Sequence, residues 1–141
     1  MGELIFGTMQ WGSRADAQAS RAMYDQCRAA GGTHFDTADV YNDAEAERLL
    51  CEFISTERDA LTIATKFGYL TGASKSAILK SCDESRSRLN IDCIDLYYLH
   101  IADPDVPFTE TFETLAGLQA KGQIRQIGVS NLSAWQVMKA Q

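Results

Sequence analysis

The chain has 141 residues, 45% hydrophobic and 23% charged, with ten glycines, two prolines and a formal net charge of −6. These values suit one globular unit of ordinary size and exclude disordered, collagen-like and low-complexity designs. The acidic balance lacks the basic footprint of a nucleic-acid binder, no run of about 18 apolar residues marks a membrane span, and Met1 to Phe6 lack the basic-then-apolar pattern of a signal peptide.

In chain order, short apolar runs alternate with segments of helical period. Leu4-Ile5-Phe6 is a first strand. Asp16 is placed to cap a helix that runs to about Ala30, where Gly31-Gly32 stops it, with Ala19, Ala22, Met23 and Cys27 at helical spacing. Thr33 to Asp36 is a second strand, and a helix starting at Asp43 or a neighbour carries Ala46, Leu49, Leu50 and Phe53. Leu61 to Thr65 is a third strand, followed by a helix capped by Ser74 with Ile78, Leu79, Cys82 and Leu89 inward. Ile94 to Leu99 is a fourth strand; Thr109 caps the next helix, which bears Phe112, Leu115 and Leu118 and stops at Gly122. Ile124 to Val129 is a fifth strand, and Ser133 caps a helix from Ala134. The four cysteines, Cys27, Cys51, Cys82 and Cys93, form no CxxC pair and no zinc pattern, and read as reduced thiols of a cytoplasmic protein.

Five β-α units in register predict an α/β fold of parallel strands. A doubly wound nucleotide fold calls for a Gly-rich phosphate turn after the first strand. The chain offers Gly7-Thr8-Met9-Gln10-Trp11-Gly12 there, and no GxxxxGK[ST] loop elsewhere. A (β/α)8 TIM barrel collects polar groups at the C-terminal ends of several strands. Asp36, Lys66, His100 and Ser130-Asn131 stand at such ends. A complete barrel needs ~250 residues, so the expected architecture is a partial barrel. Residues 1–141 are read as the N-terminal portion of one barrel, ending inside the fifth helix.

These strand-end groups read as one site. A buried ammonium is costly unless paired, and Asp36 on the neighbouring strand is the natural partner of Lys66, either as a structural ion pair or as part of a reaction centre. Tyr41 follows Asp36 by five residues, on a loop returning over the barrel mouth. An adjacent ammonium stabilises a phenolate, which equips Tyr41 to donate a proton to a carbonyl oxygen. Taken alone it is an ordinary loop tyrosine. His100 can hydrogen-bond the same oxygen and orient it, or be satisfied by its neighbours, which is the reading given to His34.

Phe35-Asp36-Thr37-Ala38-x-x-Tyr41, Ala64-Thr65-Lys66, Asp95 to His100 and Ile127-Gly128-Val129-Ser130-Asn131 together resemble the aldo-keto reductase superfamily across the whole chain. Gly7 to Gly12 and Asn131 to Trp135 are similar to its aflatoxin-aldehyde-reductase subgroup. The resemblance implies NADPH-dependent reduction of aldehydes and ketones, without a metal. It makes Tyr41 the general acid, tuned by Lys66 and Asp36, with His100 orienting the carbonyl. It places Ser130 and Asn131 on the nicotinamide carboxamide, and Thr8, Met9 and Asp36 near the cofactor ribose. Trp11, Tyr69, Tyr41 and His100 would border the substrate.

Measured against the family pattern, strands six to eight are missing, and with them the aromatic that stacks on the nicotinamide and the segments that hold the pyrophosphate and 2′-phosphate. The 141 residues alone are therefore expected to be inactive or nearly so. Two other readings stand beside this one: a Schiff-base lysine at Lys66 in an aldolase-type barrel, and a non-catalytic regulatory or binding subunit on the same fold. Expected partners are a small-molecule carbonyl and, for the open sheet edges, a second copy or a complementary C-terminal fragment.

Overall fold

The computed structural model describes residues 4–140; Met1 to Glu3, the start of the stretch read above for a signal peptide, and Gln141 lie outside the described residues. The elements are β1 (Ile5–Gly7), α1 (Ala17–Ala29), β2 (His34–Asp36), α2 (Glu45–Ile54), β3 (Thr62–Phe67), α3 (Lys75–Leu89), β4 (Ile94–Leu99), α4 (Phe108–Ala120), β5 (Ile124–Val129) and α5 (Ala134–Ala140). The strands form one parallel sheet in the order β1-β2-β3-β4-β5. A doubly wound sheet reverses its strand order at a switch point; here the order never reverses, as in a barrel. No helix among the described residues is long and apolar enough to cross a membrane.

Strand register sorts the side chains onto two faces. Lys66 pairs in register with Tyr98, and Asp36 with Ala64, so these four share one face. Phe35, Ile63, Phe67, Tyr97 and Leu99 join Tyr24, Leu50, Phe53, Ile78, Leu89, Leu115 and Leu118 of the helices in one buried cluster. Tyr24 stacks on Phe35 at 4.8 Å and Phe67 on Tyr97 at 4.7 Å between ring centroids. The site-bearing face is thereby backed by a packed aromatic and aliphatic layer.

Several element ends follow the local signals. The Asp16 carboxylate accepts from Ala19 N, and the Ser74 hydroxyl accepts from Ala77 N. The hydroxyl and the backbone N–H of Ser133 both donate to Gln136 Oε1, so Gln136 reaches back to the helix start.

At four points the structure refines or corrects the local reading. First, α1 buries Ser20, Tyr24 and Cys27, while Ala22 and Met23 are exposed. The Tyr24 ring on Phe35 and its hydroxyl on Glu57 set the rotation of the helix. Second, α2 begins at Glu45 after three left-handed residues, Asn42, Asp43 and Ala44. Carbonyls of that turn take the first amides, including Glu45 N onto Asn42 O, so no side-chain cap is used. Third, β3 extends to Phe67, which puts Lys66 inside the strand rather than after it. Fourth, α4 starts at Phe108 with Pro107 at the cap position and no side-chain cap, leaving Thr109 in the first turn. Proline's fixed φ suits entry into a helix.

Candidate active site

Lys66 is 7% exposed. Burying an ammonium requires its three donors to be met, and three acceptors meet it. It donates to the Asp36 carboxylate, to Thr37 O at 2.7 Å and to Tyr41 Oη at 3.2 Å. The ammonium also lies 4.9 Å from the Tyr41 ring centre and 5.9 Å from that of Tyr98, within cation–π range. Because the phenol oxygen accepts from Lys66, its own proton is free to point elsewhere.

Register explains why these groups meet. Asp36 ends β2, Lys66 lies one residue short of the end of β3, and His100 and Ser130 follow β4 and β5 directly. Backbone bonds carry the alignment past the strands: His100 N donates to Phe67 O and Ser130 N to Leu99 O, both at 2.9 Å. The Asn131 side chain donates to His100 O at 2.9 Å and to Ser130 Oγ at 3.2 Å. On the other flank, Thr8 N donates to Asp36 O at 2.9 Å.

His100 lies edge-on to Tyr41, with ring centroids 6.1 Å apart, and 5.1 Å from the Tyr69 ring. Burial first, then the Lys66 ammonium, depresses its pKa, so the imidazole is neutral at pH 7. Its Nδ1 is buried without a hydrogen-bond partner among the described residues. A neutral ring carries one N–H and one acceptor nitrogen, so His100 can offer a donor to a bound oxygen.

The structure therefore brings Asp36, Tyr41, Lys66, His100, Tyr69, Ser130 and Asn131 to one end of the sheet. Thr8 joins through its backbone, and Met9, 55% exposed, flanks the turn. Trp11 is a correction. It is 1% exposed and packs against Phe6 and Phe53 at 5.8 and 5.4 Å between ring centroids, so it belongs to the core rather than to a substrate surface. An indole buries more apolar area than the small polar turn around it, and the aromatic layer takes it.

Two residues escaped the sequence reading. Asn42 adopts a φ of 52°, and its side-chain amide donates to Met9 O and Trp11 O at 3.1 and 2.6 Å. It thereby ties the Tyr41 loop to the β1–α1 turn. Asn directly after the candidate acid was the available signal, since Asn tolerates the left-handed region. Tyr98 lies beside Lys66 on the inner face, and burial, then the Asp36 charge, raises its pKa. Gly128 makes room for it: a Cβ there would meet the Tyr98 ring at 2.4 Å.

The model of the "Aldo/keto reductase family" matches residues 3–141. The chain is 32% identical over 138 residues to human "Aflatoxin B1 aldehyde reductase member 2", covering 94% of this chain and 38% of that protein. It is 34% identical over 149 residues to "Aldo-keto reductase YhdN" of Bacillus subtilis, covering 97% of this chain and 44% of that one. Among solved structures, aldo-keto reductase AKR11C1 from Bacillus halodurans superposes with a TM-score of 0.87 at 32% identity, over 97% of this chain and 48% of that chain. The thermostable aldo-keto reductase Tm1743 superposes with a TM-score of 0.88 at 28% identity, over 99% and 53%. The chain thus spans about two-fifths of the length of the curated relatives named.

Proposed function

The chain belongs to the aldo/keto reductase family, and from that premise we propose that it carries the acid–base half of a site that reduces aldehydes and ketones to alcohols with NADPH. The observation that supports this most directly is the Lys66 ammonium, held between Asp36 and the Tyr41 hydroxyl with His100 across the phenol.

The residues at the end of β5 fit one end of a nicotinamide cofactor. Ser130 supplies a hydroxyl and Asn131 a carboxamide beside His100, and together they offer the donors and acceptors that another carboxamide needs. When bound, the cofactor supplies a hydride to the carbonyl carbon. The chain's own residues do the rest. The His100 N–H hydrogen-bonds the carbonyl oxygen and orients it. As negative charge builds on that oxygen, the Tyr41 hydroxyl gives it a proton. The Lys66 ammonium stabilises the phenolate left behind, in a site already polarised for it. Asp36 holds the Lys66 ammonium in place.

The Schiff-base alternative requires an uncommitted amine. Lys66 has all three donors engaged, which disfavours it. On the reductase reading, residues 1–141 are the N-terminal portion of a single barrel. The isolated chain is inactive or nearly so and binds NADPH weakly, because the match covers 38% to 44% of the curated relatives' length. The proposed partners are a small carbonyl substrate and a second copy or a complementary C-terminal fragment along β5. Tight NADPH binding by the 141 residues alone would refute the inactive-fragment part.

The test of the reaction is NADPH oxidation by the full-length protein with simple aldehydes. Tyr41→Phe should lower kcat by ~10²- to 10⁴-fold with the fold intact. Reduction surviving within a few-fold would show that Tyr41 is not the acid, whereas no NADPH oxidation by the unaltered full-length protein would leave the regulatory reading as the better one.

A further inference from the structure

We propose that Asp39, Glu47 and Arg88 form a positioning device, centred on the buried Glu47 carboxylate, that holds the Tyr41 loop and the end of β3 in register from behind the sheet. The proposal rests on the reading of Tyr41 as the proton donor.

Glu47, on α2, is fully buried, at 0% exposure. A carboxylate in that position must be fully paired. Its Oε1 accepts from the Thr65 hydroxyl at 2.6 Å and its Oε2 from Arg88 Nε at 2.5 Å. Thr65 precedes Lys66 in β3, so the two side chains leave the strand on opposite faces. Glu47 therefore grips, from the helix side, the residue next to the one that holds Tyr41 from the site side. Arg88 carries the grip on to α3, where it also donates to Ser85 Oγ at 3.1 Å.

Asp39 lies two residues before Tyr41, and its backbone N–H donates to Lys66 O at 3.2 Å. The loop and the strand are thus joined at this point. The Asp39 carboxyl, beside the Val40 N–H, feels the charges of Glu47 on α2 and of Arg88 and Glu84 on α3. The Tyr97 hydroxyl of β4 faces the same groups. Asp39 Oδ1 and Tyr97 Oη are both buried without a hydrogen-bond partner among the described residues. Arg88, with its side chain 20% exposed, pairs with Glu47 and, at 3.8 Å, with Glu84, so the Asp39 carboxyl stands near a guanidinium already committed to two other carboxylates.

Burial, then the Glu47 charge, pushes the Asp39 carboxyl up to about 6. Below that pH Asp39 is neutral and can serve as a donor in the cluster. Above it, two like charges stand behind the loop that presents Tyr41. A simple structural ion pair needs only Glu47 and Arg88. The second carboxyl, on the loop of the acid itself, links the state of the cluster to the Tyr41–Lys66 spacing.

The experiment measures kcat and KM for a simple aldehyde across pH in the full-length protein, with Asp39→Asn, Glu47→Gln and Tyr41→Phe. In the parent protein kcat should fall ~3- to 10-fold as pH rises through the Asp39 transition, with KM little changed. Asp39→Asn should remove that step and hold the low-pH kcat. Glu47→Gln should lower kcat ~10-fold at every pH with KM within about twofold. An Asp39→Asn profile with the same step, or an unchanged kcat in folded Glu47→Gln, overturns the proposal. If circular dichroism shows Glu47→Gln unfolded, the Asp39→Asn profile decides alone. The parent reading is tested separately: activity in Tyr41→Phe refutes the acid, whereas inactive Tyr41→Phe beside an unaltered Asp39→Asn profile refutes only the positioning device.

Discussion

The Lys66 ammonium stands 3.2 Å from the Tyr41 hydroxyl while it pairs with Asp36 on the adjoining strand. One buried cation thus joins a carboxylate of β2 to a phenol on the loop that follows it. Its effects on stability and on chemistry are separable.

Lys66→Met leaves the Asp36 carboxylate, with its side chain 22% exposed, facing no counter-charge. Removing one partner of such a pair costs about 3 kcal/mol. The double variant Asp36→Asn/Lys66→Met should recover most of that loss, because no lone charge is left. Denaturant unfolding measures the first effect. Carbonyl reduction by the full-length double variant should still be lost, since no ammonium supports the phenolate.

His100 should titrate below the ordinary histidine value when followed by imidazole NMR, because burial and then Lys66 oppose its charging. The folded state prefers the neutral ring. Its contribution to stability is therefore complete above the unfolded pKa of ~6.5 and is lost as pH falls through the lower folded value. In Lys66→Met the midpoint should move upward yet stay depressed, since burial is the larger cause. A midpoint at or above the ordinary value in the parent protein would contradict a neutral imidazole at pH 7.

Asp39 has the opposite sign. Its folded pKa of about 6 lies above the ordinary aspartate value, so the folded state holds the proton more tightly. Stability from this group is fully present below pH ~4 and is lost as pH rises through about 6. With a discount for partial exposure to solvent, the loss is about 1–2 kcal/mol. Asp39→Asn should gain on the parent by that amount at pH 7.5 relative to pH 4, as read by urea unfolding at the two pH values.

Asn42 combines a left-handed backbone with two side-chain hydrogen bonds to the β1–α1 turn. Asn42→Ala loses both features and should cost about 1–3 kcal/mol. Asn42→Gly removes the backbone cost but not the lost bonds, and should fall between the two. Thermal unfolding of the three proteins orders them.

Local chemistry in the sequence was enough for the scaffold. β4 and β5 run over the same residues that their apolar runs mark out, and Asp16 and Ser74 cap the helices they precede. These signals act within a few residues, through alternation, side-chain capping and turn preference. The strand-end pattern of Asp36, Lys66 and His100 was legible for the same reason: parallel strands in order present their ends on one side.

Tertiary packing decided the rest. Trp11 looked like a pocket residue until its indole was found against Phe6 and Phe53, because only the assembled layer shows where apolar area is removed from water. The stripe of α1 turned on Tyr24 meeting Phe35 across the sheet–helix boundary. Glu47 carries no signal in the sequence reading, and only the fold places Arg88 and Thr65, distant in sequence, beside it. The energy of a buried charge depends on its partners in space rather than on its neighbours in the chain. The sequence by itself therefore determined the order of the elements and the side on which the chemistry gathers, and only the folded structure decided which charges are buried together.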